Sequence, residues 1–159
     1  MDKFRPMNLT KTECKVLDPT FVNFKICDVD RQNNRKPVIN IHADLLQKIN
    51  SIVINAKLYR KAGKKLQPYL YNDLFDFCNL ARKKGSRNHF WSTYYEKFTK
   101  YTNMNHTCPY EKNIIIRNMT FDDEAFQIFP MPRGKYMIEW NYVMNGIRAC
   151  QVQMFCDRL

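Results

Sequence analysis

Ile39-Asn40-Ile41-His42-Ala43-Asp44-Leu45 decides the fold. Aliphatic side chains fall at every second position with polar ones between them, the period of an extended strand that buries one face and wets the other. The next segment repeats it, with Ile52, Ile54, Ala56 and Leu58 set against Asn55, Lys57 and Tyr59. Two successive strands therefore each carry an aliphatic row on a single face.

Toward the N-terminus, Asn8 to Leu17 and Thr20 to Val29 alternate more loosely. They read as the first two strands, with Val22, Phe24 and Ile26 on one face and Asp18-Pro19 as the turn between them. Toward the C-terminus, Lys61 to Lys65 turns the chain, and Pro68 to Phe77 reads as an aromatic-rich strand ending at Cys78. Asn113 to Met119 is a further strand. Tyr136, Ile138, Trp140, Tyr142 and Met144 then alternate up to Asn145-Gly146, a strong two-residue hairpin signal, and Ile147 to Phe155 returns. That hairpin is expected to set Trp140 and Tyr142 beside Ala149 and Gln151. One segment breaks the period of two. Phe90, Trp91, Tyr94, Tyr95, Phe98 and Tyr101 recur at helical spacing, with Glu96, Lys97 and Lys100 opposite, and Ser86 or Asn88 can cap the start. The expectation is an all-β domain spanning residues 1–159 with one or two helices, of which this amphipathic one is legible.

With 159 residues the chain can bury a substantial core, although disulfides still matter at this size. A formal charge of +11 argues for attraction to anionic surfaces, and a generally basic solvated surface is the alternative. No apolar run reaches the roughly 18 residues of a membrane span. Secretion is indicated by six cysteines and by the acceptor triplets at Asn8, Asn105 and Asn118. With the asparagine and hydroxyl content present, about one triplet is expected by chance. The start, Met1-Asp2-Lys3-Phe4, has no signal-peptide hydrophobic region, so the natural precursor is expected to carry a signal peptide ahead of it.

Cysteine pairing follows from reach. Cys150 and Cys156 are six apart on one strand, about 20 Å at roughly 3.3 Å per residue, against the roughly 7 Å that a disulfide spans. A tight turn at Asp18-Pro19 sets Cys14 opposite Asn23 rather than Cys27. Two bridges from the last strand to the first two, Cys27–Cys150 and Cys14–Cys156, answer both difficulties. Cys78–Cys108 then brackets the helix. The open alternative is Cys14–Cys27 with the two terminal cysteines free. Metal ligation finds no C-x-x-C pair and only three scattered histidines, so no metal or other cofactor is expected.

Asn103-Met-Asn-His-Thr-Cys-Pro-Tyr110 packs an acceptor triplet, a cysteine and a Cys-Pro step into eight residues. With Pro68-Tyr-Leu-Tyr-Asn72, Ile115-Ile-Arg-Asn-Met119 and Pro130-Met-Pro-Arg-Gly-Lys-Tyr136, it resembles a large insect family of small secreted proteins of unknown function. That family is related to the ML lipid-recognition domains and the ganglioside-activator fold. The resemblance implies an immunoglobulin-like antiparallel β-sandwich whose splayed sheets hold a lipid tail. Some relatives are linked to chemosensation.

The functional expectation is a secreted, glycosylated carrier of a hydrophobic small molecule, lipid, fatty-acid-like or hydrocarbon. Candidate cavity and lid residues are Ile41, Ile54, Leu58, Ile138 and Trp140 from the strands, with Phe90, Trp91, Tyr94 and Phe98 from the helix. Ordinary core packing is the alternative role for all of them. The basic positions Arg60, Lys61, Lys64 and Lys65, with Arg82, Lys83, Lys84 and Arg87, would meet an anionic membrane if they cluster at the cavity mouth and are otherwise solvated turns. No nucleophile motif appears, so no enzyme is expected, and nucleic-acid binding conflicts with the secretory signs. The competing class is an extracellular interaction module or co-receptor with a solidly packed sandwich, and cavity volume between the sheets separates the two.

Overall fold

A computed structural model describes residues 7–31, 36–82, 90–120 and 131–159, and for 90–93 the backbone alone. The strands are β1 (Met7–Val16), β2 (Val22–Asp30), β3 (Val38–Leu45), β4 (Ile52–Ala62), β5 (Lys65–Asp76), β6 (Asn113–Met119), β7 (Gly134–Met144) and β8 (Ile147–Arg158). Two short helices, α1 (Phe77–Arg82) and α2 (Phe90–Phe98), lie between β5 and β6. They form two antiparallel sheets, a five-stranded one ordered β1-β8-β7-β4-β5 and a three-stranded one ordered β2-β3-β6. The architecture is an all-β sandwich.

The period-two segments build its core. Ile39, Ile41, Ala43 and Leu45 are buried along β3, as are Ile52, Ile54, Ala56 and Leu58 along β4. On the wet face of the larger sheet, amides replace them. Asn55 donates to Asn72 (2.8 Å), Gln151 to the buried Asn141 (2.8 Å), and Asn141 to Glu139 (3.1 Å).

Departures from the sequence reading come from bulges and topology. At Gly63-Lys64 and at Asn145-Gly146 two-residue turns close hairpins, with Ala62 opposite Lys65 and Met144 opposite Ile147. Asn145 and Gly146 both have positive φ (50° and 80°), which suits the right-handed twist of the strands. One residue later β8 bulges. Arg148 faces Val143 but Cys150 faces Tyr142, so Trp140 lies opposite Val152, and the expected pairing with Ala149 and Gln151 does not form. The extra residue is Ala149, whose carbonyl accepts from the amides of Leu17 and Asp18. A second bulge, between Phe24 and Ile26 in β2, sets Ile26 opposite His42 and leaves it exposed, off the face of Val22 and Phe24. Phe77 and Cys78 belong to α1 and not to a strand. Asp76 caps that helix, its carboxylate accepting from the amide of Asn79 (3.0 Å). The proposed α2 caps Ser86 and Asn88, and Lys83, Lys84 and Arg87, lie outside the described residues.

Cys78 is bonded to Cys108. The other bond joins Cys14 to Cys27 and not either of them to the last strand, while Cys150 and Cys156 are buried free thiols, so Cys27–Cys150 and Cys14–Cys156 are corrected. β1 and β2 do not form a hairpin. β1 pairs with β8 and β2 with β3, so the Asp18 turn carries the chain from one sheet to the other. Cys14 lies opposite Val152 and Cys27 opposite Ile41, both inward, and they meet across the gap with Cα atoms 6.2 Å apart. One bond thus clamps the β1 and β2 edges together. The second, at the opposite side, ties α1 to the loop that leads into β6.

Candidate functional site: an apolar cavity between the sheets

The 103–110 motif is the strap that holds the helices in place. Asn103 is bound to β6 at several points. Its side-chain nitrogen donates to the Asn113 side chain (2.9 Å), its side-chain oxygen accepts from the Ile115 amide (2.9 Å), and its own amide donates to the Ile115 carbonyl (3.3 Å). The Met104 carbonyl accepts from the Tyr95 hydroxyl of α2 (3.2 Å). Cys108 holds α1 through its disulfide. Tyr110 is buried against Phe77 of α1 (ring centroids 6.3 Å), exchanges backbone bonds with Ile49 and donates its hydroxyl to the His106 carbonyl. Phe77 in turn packs edge-on against Tyr95 (5.4 Å) and Phe98 (6.3 Å). One motif therefore anchors both helices over the side of the sandwich away from the β1–β2 clamp.

Beneath them lies a cavity of about 70 Å³ between the sheets. Its floor on the larger sheet is Ile52, Ile54, Trp140, Tyr142, Cys150 and Val152. The smaller sheet supplies Val22, Phe24, Ile41, Ala43, Ile114 and Ile116. The helices close it with Phe77, Leu80, Tyr94, Tyr95 and Phe98, and Tyr94 stacks on Trp140 (5.7 Å) and on Phe98 (6.0 Å). Four methionines, Met104, Met119, Met144 and Met154, fill between these groups. Thioether side chains are unbranched and repack easily. A second concavity, about 410 Å³, is an open groove on the outer face of the three-stranded sheet, lined by charged and polar groups such as Asp28, His42 and Arg117 along with Ile26 and Ile115. Its lining is largely polar, so the apolar space between the sheets is the better candidate for an apolar ligand.

Of the residues singled out in the sequence, Ile41, Ile54, Tyr94, Phe98 and Trp140 are brought together around the cavity. Leu58 and Ile138 are buried opposite each other but do not border it. They belong to the solid end of the sandwich, beside Tyr136, Cys156 and Leu9. Phe90 and Trp91 lie at the start of α2, and their side chains are outside the description. Sequence reasoning passed over Phe77 and Leu80, for which an i, i+3 spacing after a capping Asp was the available signal, and Cys150, which reaches the cavity only because of the bulge at Ala149. Among the acceptor asparagines, Asn105 and Asn118 are exposed and Asn8 is half-buried on β1. Lys61, Lys64 and Lys65 are exposed at the β4–β5 hairpin, away from the helices. The described residues hold no group of His, Cys, Asp or Glu placed to bind a metal, and no helix long and apolar enough to cross a membrane.

A family model described as a protein of unknown function, DUF1091, matches residues 54–138, just over half of the chain. The chain belongs to the DUF1091 family. No curated protein matches it. The DUF1091 segment runs from within β4 to within β7 and so contains both helices, the disulfide between Cys78 and Cys108, and the strap motif. Trp140, Tyr142 and Cys150 lie just beyond it, so the cavity floor on β7 and β8 falls outside the matched segment.

Burial shapes the chemistry of the two free thiols of this DUF1091 protein. Desolvation pushes both Cys150 and Cys156 from an ordinary value near 9 up to about 12, and it also raises the Tyr94 and Tyr142 hydroxyls. In the unfolded chain the thiols lose their protons near pH 9, while in the folded chain they keep them to about pH 12. Their contribution to stability is therefore complete below about pH 9 and is lost as pH rises through the interval up to 12. Urea unfolding at pH 10.5 is expected to show up to about 2 kcal/mol less stability per buried thiol than at pH 8, and the double variant Cys150→Ala/Cys156→Ala should reduce that slope to the smaller part carried by the buried tyrosine hydroxyls. An unchanged slope in the double variant would show that the thiols do not carry it.

Proposed function

We propose that this DUF1091 protein is a non-catalytic extracellular binder of a hydrophobic small molecule held between its two sheets. One observation carries the reading: an almost wholly apolar cavity, lined from both sheets and roofed by two aromatic helices that a disulfide and a strap hold in place. The two disulfides and the exposed acceptors at Asn105 and Asn118 support an oxidising, glycosylating compartment. The resemblance to ML lipid-recognition domains supports the same reading.

Volume sets the terms. About 70 Å³ is well below the roughly 300 Å³ at the lower end of small-molecule pockets, so a full alkyl chain enters only if the methionines and the roof repack. An alkyl chain gains about 0.8 kcal/mol per buried methylene, so about ten would supply roughly 8 kcal/mol before ordering costs. Micromolar affinity is the expected range. The same small volume favours the second reading, an extracellular interaction module whose sandwich stays closed.

A fluorescent-lipid displacement titration separates them. Wild type should show saturable displacement by long-chain lipids. Tyr94→Ala, which removes the ring stacked on Trp140, should weaken it at least tenfold, whereas Glu96→Ala on the exposed side of α2 should leave it unchanged. Absence of saturable displacement by any long-chain lipid would move the protein to the interaction-module class.

A further inference from the structure

We infer that the cavity selects uncharged apolar ligands, carrying at most a neutral oxygen such as an alcohol, ester or ketone, and discriminates against ionised fatty-acid carboxylates. The inference rests on the reading above and narrows its ligand class. Among the described residues that line the cavity, none is lysine, arginine, histidine, aspartate or glutamate. The polar side-chain groups of these described residues are the Tyr94, Tyr95 and Tyr142 hydroxyls, the Trp140 ring nitrogen and the Cys150 thiol, with the Tyr95 hydroxyl donating to the Met104 carbonyl. Tyr142 and Cys150 face each other across the β7–β8 pair, below Tyr94.

A carboxylate drawn into this space would lose its hydration and find no cation among the described lining residues, which is far costlier than burying a neutral oxygen that can accept one hydroxyl hydrogen bond. The protein's own groups report the same environment. Burial there favours the neutral forms of Tyr94, Tyr142 and Cys150, and a guest carboxyl would be pushed the same way, toward its protonated acid. A neutral ligand suffers no such penalty. Its binding should not depend on pH across the range in which a fatty acid ionises.

The test uses the full chain and three probes of equal chain length: 1-dodecanol, methyl dodecanoate and dodecanoic acid, each below its aggregation concentration. They compete against the neutral fluorophore N-phenyl-1-naphthylamine at pH 8 and at pH 5. At pH 8 the alcohol and ester should bind at least tenfold more tightly than dodecanoate. Lowering the pH to 5 should strengthen the acid and leave the other two unchanged. Dodecanoate binding as tightly as the alcohol at pH 8 would overturn the selectivity and leave the cavity reading standing. No binding by the fluorophore or by any of the three would overturn both.

Discussion

Removing the Cys78–Cys108 disulfide, as Cys78→Ala/Cys108→Ala, is expected to cost about 3–4 kcal/mol of stability by the loop-entropy model, since the bond closes a loop of 30 residues. The Cys14–Cys27 bond closes a separation of only 13, for which the same model gives about 3 kcal/mol. The difference in entropy is small, but what each loop contains is not. Between Cys78 and Cys108 lie nearly all of α1, the whole of α2 and most of the strap, including Tyr94, Phe98 and Met104 of the cavity wall. Between Cys14 and Cys27 lie the sheet-to-sheet turn and the start of β2, with only Val22 and Phe24 of the cavity wall, both of which β3 also holds by strand pairing. At roughly 2–4 °C per kcal/mol for a chain of this size, the first variant should melt roughly 10 °C lower and also lose displacement binding, because the roof is no longer tied to its strap. Removing Cys14–Cys27 should lower the melting temperature with less effect on binding by protein that remains folded. Equal loss of binding in both folded variants would mean that the disulfides act only through global stability.

The strands were legible because each buries one face, and a buried face writes a period of two. β3, β4 and β7 could be read directly, since Ile39 to Leu45 alternates cleanly and Ile52 to Leu58 and Tyr136 to Met144 keep an apolar residue at every second position. Bulges carry no such signature. Ala149 looks like any strand residue, yet the one-residue offset it introduces moves Cys150 to the side of Tyr142 and onto the cavity floor. Cys78–Cys108 forms as expected, but between the two arrangements open for the other four cysteines the one with Cys14–Cys27 and free Cys150 and Cys156 is found, because reach along a strand is legible while the sheet to which the next strand belongs is not. β1 and β2 are neighbours in sequence and lie in different sheets, and only that topology brings Cys14 to Cys27.

The candidate site was half legible. Aromatic spacing placed Tyr94 and Phe98 on one helical face, and alternation placed Ile41, Ile54 and Trp140 on inward strand faces. Which inward residues border empty space and which border one another is a property of the packing. Leu58 and Ile138 satisfy the same pattern as Ile54 and Trp140, yet they sit where Tyr136 and Leu9 fill the sandwich. α1 has only six residues, too short for a periodicity to stand out from the aromatic strand that precedes it.

That contrast between the open and solid parts of one core supplies the second large effect. Ala43 lies on β3 with its small side chain at the cavity, opposite Phe24 on β2 and Ile114 on β6. Ala43→Leu adds three carbons directed into the void. Where they fit they bury apolar surface, worth up to about 2 kcal/mol, and where they crowd they cost about 1–3 kcal/mol, so the two nearly offset and the fold should survive. A ligand is affected differently, because it loses the room of about three or four methylenes. At about 0.8 kcal/mol each, that is close to a hundredfold in affinity. Ile138→Val provides the matching control, with an expected cost of about 0.5–1.5 kcal/mol in stability and no change in binding, because Ile138 does not border the cavity. Calorimetric melting and the displacement titration on the two variants should therefore give opposite results: Ala43→Leu stable and unable to bind, Ile138→Val weakened and able to bind. If Ala43→Leu binds like wild type, the ligand does not occupy the space between the sheets.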